Sequence, residues 1–393
     1  MKLTLTELQE MIETSVLAYL THEYDFLKRA NSLAAPHALS PAVWESFAGM
    51  GWLGLPLPED DGGIDGRALE SGLLMRAFGR HLVVEPYLNS VLLGTRLLAE
   101  LGTPAQREAW LPDLVAGSRR VVLAHDESAN PDPWAARATR ARAQGGAFVL
   151  DGRKSLVAGA PGADALLVSA LGEDGAQALF LVPCDAPGLT LAERRTLDGG
   201  RAADLVLTEV RVDAGARLDA EDDAAPVLHR LLAEAIVSQC WEASGAMQAA
   251  LEQTAAYTRE RVQFGQPISK FQVIQHRLAE MAVHCEEALA ACQLAALRIE
   301  RDPQSAIEMA ALAKAKLGRG ALFVAQQAVQ LHGAMGVSEE LAIASYYRKL
   351  LGFSQQYGDA AWFAGRYGAI MLDSEAYRAS RVLTTPKGNQ HAS

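Results

Sequence analysis

The chain has 393 residues, of which 50% are hydrophobic and 21% are charged, a composition that excludes a disordered protein and predicts about two or three folded units. Lys and Arg number 36 against 47 Asp and Glu, so the formal net charge is −11 and a nucleic-acid backbone would be repelled. No apolar run reaches the roughly 18 residues of a membrane-spanning helix, so we expect neither a nucleic-acid partner nor membrane insertion.

Residues 1–117 are predicted to form an N-terminal helical domain. Thr6 and Gln9 have the spacing of a capping box at the start of a helix, and apolar residues follow at helical periods as far as Leu20. Breaks rich in Pro and Gly divide the region into about five helices. The beginning of the chain lacks the basic head and apolar middle of a secretory signal, so we expect a cytoplasmic protein.

Residues 118–225 are predicted to form a small, barrel-like β domain, because the apolar pattern changes to period two or to short runs bounded by turn residues. The predicted strands are 121–124, 147–150, 156–158, 165–170, 178–182, 188–192 and 202–212. Asp151-Gly152 is a hairpin signal between two of them. Residues 213–226, rich in Ala, Asp and Gly, are predicted to connect this domain to the next.

Residues 226–393 are predicted to form a C-terminal helical bundle. Three helical patterns each exceed about 25 residues, which is typical of helices packed along their whole length; they cover 229–260, 271–300 and 304–331. The polar residues 384–393 are predicted to be disordered. The sequence therefore predicts an α+β fold in which a helical domain, a small sheet and a four-helix bundle follow one another.

No metal site is predicted. The cysteines are too few and too scattered for a disulfide framework or a metal motif, and we expect them to be small buried hydrophobic residues; they are Cys184, Cys240, Cys285 and Cys292. The acidic cluster at 59–61 has no metal-ligand spacing and is predicted to be a solvated turn.

A turn with unusual side chains follows the first long helix of the bundle. Gly265-Gln266-Pro267 separates that helix from a new amphipathic helix, and it exposes Arg261 and Phe264. A fixed guanidinium can bind an anionic group, and an aromatic ring can lie against a flat partner. The alternative is a solvated arginine at a helix end above a phenylalanine of the core.

This segment, from Arg261 to Met281, resembles the acyl-CoA dehydrogenase signature R-x-x-F-G-x-P-I-x-x-F-Q-x-x-Q-x-x-L-A-x-M. Further segments are similar to other motifs of that family; they are 51–63, 150–154 and 330–336. The resemblance implies an FAD enzyme that oxidises a saturated acyl-CoA thioester to the 2,3-enoyl thioester. A carboxylate removes the α proton, the β hydride passes to the FAD, and hydrogen bonds stabilise the charge on the thioester oxygen.

The resemblance also implies where the FAD lies. In the family, the FAD crosses a subunit interface, and part of its site comes from the neighbouring subunit. Carried over by position, the cofactor-binding residues that embrace the pyrophosphate and adenosine half are Arg261, Gln263, Phe264, Gln330 and Gly333. A tetramer with the last bundle at its interface and an electron-transfer flavoprotein as electron acceptor are further implications.

The catalytic base of the family is missing at its usual position. The family places a Glu shortly after an Arg-Asp pair, but here the pair reads Arg348-Lys349 and the aligned position is Gly358. Asp359 is the nearest carboxylate and therefore the candidate catalytic base. The alternative is that Asp359 caps the last helix, a favoured use of Asp. The second location that some relatives use for the Glu is Ala255.

The side chains that a subunit offers to its own FAD are also replaced. The run that carries them in the family reads as residues 124–131 here, and the tryptophan-isoleucine-threonine after the hairpin lysine becomes Leu156-Val157-Ala158. His125 either replaces a lost flavin donor or is an ordinary loop histidine. The groups given to the neighbour remain, and this asymmetry resembles the small subunit of pimeloyl-CoA dehydrogenase and the paired dehydrogenases of bacterial steroid degradation.

The predicted function is that of a subunit of an FAD-dependent acyl-CoA dehydrogenase acting on a dicarboxylyl or ring-bearing acyl-CoA. The expected partner is a homologous large subunit in a heterotetramer, or further copies of the chain in a homotetramer that uses Asp359. Two alternatives stay open. One is a catalytically silent subunit that completes the flavin site of a related chain, and the other is a flavin monooxygenase on the same fold.

Overall fold

A computed structural model describes residues 5–127, 132–135, 137–218 and 223–374. Three predictions concern residues outside these ranges. They are the disordered end at 384–393, part of the connector at 213–226, and residues 128–131 of the run that resembles the family's flavin-binding segment.

The N-terminal region is helical, as predicted, with six α-helices where we expected about five. The capping box is present, because Thr6 Oγ1 accepts from the Gln9 amide at 3.3 Å and Gln9 Oε1 accepts from the Thr6 amide at 2.9 Å. A π-helical segment, Leu88–Thr95, runs directly into the fifth helix. The helices are α1 (Glu7–Glu23), α2 (Phe26–Ala34), α3 (Pro41–Gly49), α4 (Ala68–His81), α5 (Arg96–Leu101) and α6 (Pro104–Val115).

The central region is a mixed eight-stranded sheet with the order β6-β7-β3-β2-β4-β5-β8, and β1 lies parallel to β4. Within the described ranges, the end strands β6 and β8 do not pair with each other, so the sheet is open rather than closed. The strands are β1 (Val121–Ala124), β2 (Arg140–Gln144), β3 (Ala147–Ala158), β4 (Ala165–Leu171), β5 (Gln177–Pro183), β6 (Leu189–Arg195), β7 (Arg201–Asp213) and β8 (Arg217–Leu218).

The predicted hairpin at Asp151-Gly152 is wrong, because both residues lie inside the continuous strand β3. The register between β3 and β7 shifts between Leu150 and Gly152, so the glycine marks an irregularity in the strand rather than a turn. A Cβ atom at Gly152 would lie 2.5 Å from Thr139 Oγ1. The turn lies at residues 145–146, between β2 and β3, where two glycines with φ of 58° and 75° provide the two positive φ angles that a two-residue hairpin needs.

The C-terminal region is a helical bundle, and its three long predicted helices are confirmed. The helices are α7 (Ala225–Glu260), α8 (Gln272–Arg301), α9 (Ala306–His332), α10 (Ile343–Gln355) and α11 (Ala360–Asp373), and a short hairpin of β9 (Val262–Gln263) and β10 (Gln266–Pro267) separates α7 from α8. Cys240, Cys285 and Cys292 are free and buried, as predicted. In the part of the chain that the structure describes, no helix combines the length and the apolar character needed to cross a membrane.

The N-terminal helices dock on the bundle through a close contact between α4 and α7. A Cβ atom at Gly79 would lie 1.8 Å from the carbonyl oxygen of Glu242, and one at Gly245 would lie 1.9 Å from that of Arg76. The two backbones therefore touch where the helices cross, which only glycine permits. One large apolar core is continuous across this contact and includes Phe78 and Trp241.

Candidate functional site

The β9–β10 hairpin presents side chains to solvent at one end of the bundle. The helix α7 ends where the Arg261 amide donates to the Tyr257 carbonyl oxygen at 2.8 Å. Phe264 and Gly265 have φ angles of 53° and 78°, which form a tight two-residue turn. Phe264 is 91% exposed and touches Phe271 edge-on at 6.0 Å between ring centroids. It is therefore not a core residue, and its ring is free to contact another molecule.

The end of α9 supplies the second part of this surface. Gln330 is exposed on the last turn of the helix, and Gly333 follows the helix in an exposed conformation with φ 60° and ψ −136°. Residues with a side chain rarely adopt that conformation. No atom lies within 4 Å of the place where a Cβ atom of Gly333 would be, so its backbone is open to a close approach.

The ring of His332 joins the two segments. It stacks on Tyr257, one turn before Arg261, with 4.3 Å between centroids, and the Tyr257 hydroxyl donates to the His332 carbonyl oxygen at 3.4 Å. His332 Nδ1 donates to the Ala328 carbonyl oxygen at 2.8 Å. Burial lowers the pKa of His332, so it stays neutral and has the structural role expected of a histidine inside the glycine turn.

The stacked pair therefore gathers the five predicted cofactor-binding residues at one end of the bundle, and we call them the bundle-end surface. They are Arg261, Gln263, Phe264, Gln330 and Gly333, and all are exposed. A guanidinium, two amides, a flat ring and an open stretch of backbone suit a diphosphate and an aromatic base. Their roles toward FAD stay predictions.

The segments that resemble a subunit's own flavin site meet elsewhere, in a cleft that we call the β-edge cleft. It has a volume of about 30 Å³, room for about one or two water molecules. Leu156, at the position of the family's tryptophan, is 64% exposed and has a φ of 49°. The cleft is lined by Asn89, Leu93, Leu123, His125, Asp126, Leu232, Gln356, Tyr357 and residues 155–158. No flat three-ring group fits in this space.

His125 makes its side-chain contacts inside the protein. Its Nε2 atom lies 3.1 Å from Arg137 Nε, which can only donate, so Nε2 accepts and Nδ1 donates to Ser169 Oγ at 2.8 Å. Burial and the nearby charges of Arg137 and Lys154 hold the pKa of His125 well below its usual value. Both ring nitrogens are thus engaged within the chain, which favours the ordinary structural histidine over a replacement flavin donor.

A buried ion pair lies behind His125. Lys154 Nζ donates to Glu127 Oε1 at 2.8 Å, to the His125 carbonyl oxygen at 3.2 Å and to Ser169 Oγ at 3.2 Å. Burial lowers the pKa of Lys154 to about 8, although Glu127 opposes the shift. Burial alone would raise the pKa of Glu127, but Lys154 and hydrogen bonds from residues 138–139 outweigh it, and the pKa falls to about 2. The charges at this end of the sheet therefore satisfy each other.

Asp359 is the N-cap of α11. Its Oδ1 atom accepts from the Trp362 amide at 2.8 Å, and the residue is exposed. The residues of this loop that line the β-edge cleft are Gln356 and Tyr357, the latter with a φ of 61°. The predicted capping role is thus present in the structure, whereas Asp359 as a catalytic base stays a prediction.

The sequence did not reveal a buried lysine that supports this loop. Lys314 is fully buried on α9, donates to the carbonyl oxygen of Phe353 near the end of α10, and donates to Gln239 Oε1 at 3.1 Å. Gln239 Nε2 in turn donates to Gln356 Oε1 at 2.6 Å. Burial lowers the pKa of Lys314 to about 7. Its position within the apolar stripe of α9 was the signal that could have found it.

Known proteins match most of the chain. The family model "Acyl-CoA dehydrogenase, N-terminal domain" matches residues 6–118, and "Acyl-CoA dehydrogenase, C-terminal domain" matches residues 226–360. The mitochondrial short-chain specific acyl-CoA dehydrogenase of Homo sapiens is 30% identical over 324 residues, which cover 79% of this chain and 78% of the relative.

Two solved structures of paired proteins are similar over nearly the whole length. The Tcur3481-Tcur3483 steroid ACAD variant has a TM-score of 0.85 at 30% identity and covers 96% of this chain and 100% of its own. The ChsE4-ChsE5 complex from Mycobacterium tuberculosis has a TM-score of 0.86 at 27% identity, with 95% and 100% covered.

Proposed function

The chain belongs to the acyl-CoA dehydrogenase family, and from this premise we propose that it completes the FAD site of a related chain within a heteromeric dehydrogenase. The enzyme is an FAD-dependent oxidoreductase acting on CH-CH groups. The proposal concerns how this chain contributes to that activity, which substrate is used, and which partners take part.

The observation that carries the proposal is the difference between the two halves of the candidate site. The bundle-end surface keeps an exposed guanidinium, amides and ring, whereas the β-edge cleft has room for little more than water. The residues therefore fit a bound FAD on one side only. A symmetric pair of this chain would place each bundle-end surface against an equally filled cleft, so the arrangement favours a homologous large subunit whose own cleft is open.

The bound FAD accepts a hydride from the substrate. Toward it, Arg261, Gln263 and Gln330 would hold the diphosphate, and Phe264 with the bare backbone of Gly333 would contact the adenosine. None of these side chains removes the α proton. Their contribution is to bind the cofactor and to hold it in register with the partner chain.

We propose that the base belongs to the large subunit, because the Asp359 carboxylate already accepts a hydrogen bond at the start of α11 and is not part of the lining of the cleft. Asp359 as the base is the alternative. It would require α11 to begin beside the substrate, and the preceding Gly358, with a φ of 113°, is a residue that can permit such a turn.

The proposed substrate is a ring-bearing or dicarboxylyl acyl-CoA, and the proposed electron acceptor is an electron-transfer flavoprotein. The support for a ring-bearing group is that one structural neighbour is described as a steroid ACAD. The support for a paired assembly is that this neighbour and the ChsE4-ChsE5 complex each contain two different chains. A heterotetramer is the assembly we expect.

The test compares the chain alone with the chain co-expressed with its homologous large subunit, and measures flavin absorbance and ferrocenium-coupled dehydrogenation. We expect flavin and activity in the complex only. Arg261→Ala should weaken FAD retention by the complex about 10- to 100-fold, since hydrogen bonds to charged groups are worth about 1.5–3 kcal/mol. Arg259→Ala, an exposed arginine on the last turn of α7, is the matched control. Full flavin and turnover by the chain alone would overturn the proposal.

Asp359→Asn decides where the base lies. We expect unchanged reduction of the flavin by substrate in the complex, because the amide oxygen of Asn can still cap α11. Loss of flavin reduction with normal flavin content would assign the base to Asp359 instead.

A further inference from the structure

A cavity of about 230 Å³ lies between α2, the turn that joins β6 to β7, and the start of α10. We call it the arginine pocket, because Arg29, Arg195 and Arg348 are among its lining residues. It shares no lining residue with the β-edge cleft. The family resemblance assigns no role to any of these arginines.

Arg29 is a buried cation at this pocket. It is only 3% exposed, and its Nε and Nη2 atoms donate to the carbonyl oxygens of Leu82 at 2.7 Å and Asp198 at 2.8 Å. Its third nitrogen, Nη1, has no hydrogen-bond partner among the described residues. Burial lowers the pKa of Arg29, and the charge of Arg348 lowers it further. Two guanidiniums that repel each other beside a cavity are stabilised by an anion placed between them.

The other charges of the pocket leave an excess of positive charge. Glu339 binds Arg348 with both oxygens, at 2.7 and 2.9 Å. The Asp198 carboxylate accepts from Lys349 at 3.4 Å and from Thr196 at 2.5 Å. Both carboxylates are thus already paired.

Arg195 is the most accessible of the three arginines. It is exposed and forms no ion pair or hydrogen bond with any residue that the structure describes. An unpaired guanidinium at the mouth of a cavity is unusual in a chain whose formal net charge is −11. It can therefore bind an incoming anion without breaking an existing contact.

One wall of the pocket is apolar. Phe26, Leu27, Ala30 and Leu33 of α2 line it, and Leu27 is 80% exposed. An inorganic anion would leave this wall in contact with water, whereas an anion with an apolar body would cover it. The cavity is smaller than the roughly 300–1,000 Å³ of sites for drug-sized ligands, so the ligand is small.

We propose that the arginine pocket binds a small organic carboxylate, with the carboxylate between Arg29 and Arg195 and a short aliphatic or aromatic body against α2. This inference does not depend on the flavin site, because no residue of the bundle-end surface or the β-edge cleft takes part. The carboxylate forms charge-assisted hydrogen bonds, which are the strong ones.

The test is calorimetric titration of the full chain at low ionic strength with hexanoate, benzoate and inorganic phosphate as probes. We expect saturable binding of hexanoate or benzoate and weaker binding of phosphate. Arg195→Gln should weaken carboxylate binding at least roughly tenfold. Because Arg195 is exposed and without a described partner, this variant should fold normally, which thermal unfolding checks.

Arg194→Gln is the matched control, because Arg194 lies one residue away and pairs instead with Asp204 at 3.1 Å. It should bind hexanoate as the wild type does. Leu27→Gln should weaken hexanoate binding and leave phosphate binding unchanged. The proposal is overturned if neither organic probe binds saturably, if phosphate binds as tightly as hexanoate, or if Arg194→Gln and Arg195→Gln have equal effects.

Discussion

The bundle-end surface and the β-edge cleft resemble the two halves of one nucleotide site, yet their polar groups are used in opposite ways. At the bundle end, Arg261 and the amides face solvent on a tight turn. At the cleft, His125, Lys154 and Glu127 bind one another. Both regions contain charged residues, so composition does not distinguish them. The difference shows that a site can be lost by internal pairing of its polar groups as well as by their removal.

The largest effect is expected where the internal pairing is broken. Lys154→Met leaves Glu127, which is only partly exposed, without its cation, and it should cost about 3–5 kcal/mol of the free energy of unfolding. Urea denaturation measures this. Arg142→Met is the control, because Arg142 pairs with Asp151 on the exposed side of the same strands and should cost less than about 1 kcal/mol. Equal costs would mean that the cleft is not held by this pair.

The second prediction concerns the backbone of the bundle-end surface. Gly333→Ala forces a side chain into a φ of 60° and a ψ of −136°, which should cost about 1–3 kcal/mol although no atom would clash. Gly352→Ala is the control, since that glycine lies inside α10 with open space around it and alanine there should stabilise by about 0.5–1 kcal/mol. Thermal unfolding of both variants checks the expected opposite signs.

The third prediction concerns the lysine behind the cleft. The pKa of Lys314 is about 7 in the folded protein, below its ordinary value of 10.5. Between these values the unfolded chain holds more protons, so stability must rise with pH. From about pH 7 to about pH 8.5, the wild type should gain about 1.5 kcal/mol more than Lys314→Met does.

Cys240 is the titratable group that faces Lys314 from α7, and burial raises the pKa of its thiol to about 12, outside this range of pH. Lys316→Met is the control, because Lys316 is an exposed partner of Glu287 and its loss should leave the slope unchanged. A wild-type slope that Lys314→Met retains would contradict the assignment.

The smallest effect on stability is expected at the most exposed ring. Phe264→Ala should change the free energy of unfolding by less than about 0.5 kcal/mol, because the side chain is 91% exposed. The same variant should release FAD from the complex more readily. Phe363→Ala, at a fully buried ring, should cost about 3–5 kcal/mol. A large loss of stability in Phe264→Ala would show that the ring supports the fold rather than a ligand.

Local signals predicted most of the elements. The capping box at Thr6 and Gln9, the three long helices and most strands follow from spacing and periodicity, because each depends on residues close in the chain. The strand β2 was missed, since its sequence, RARAQ, is too polar to show an apolar pattern. Asp151-Gly152 was misread as a turn, because the same dipeptide also suits an irregularity inside a strand.

The signature around Arg261 and Phe264 was readable because its residues are close in sequence, and the sequence alone therefore determined the order of helices and strands and the candidate cofactor residues. The tertiary structure alone decided which charges pair. Lys154 meets Glu127 across the sheet, Lys314 meets a loop far along the chain, and Arg29 and Arg195 reach one cavity. The physical reason is that burial and pairing set the energy of a charge, and both depend on residues that only folding brings together.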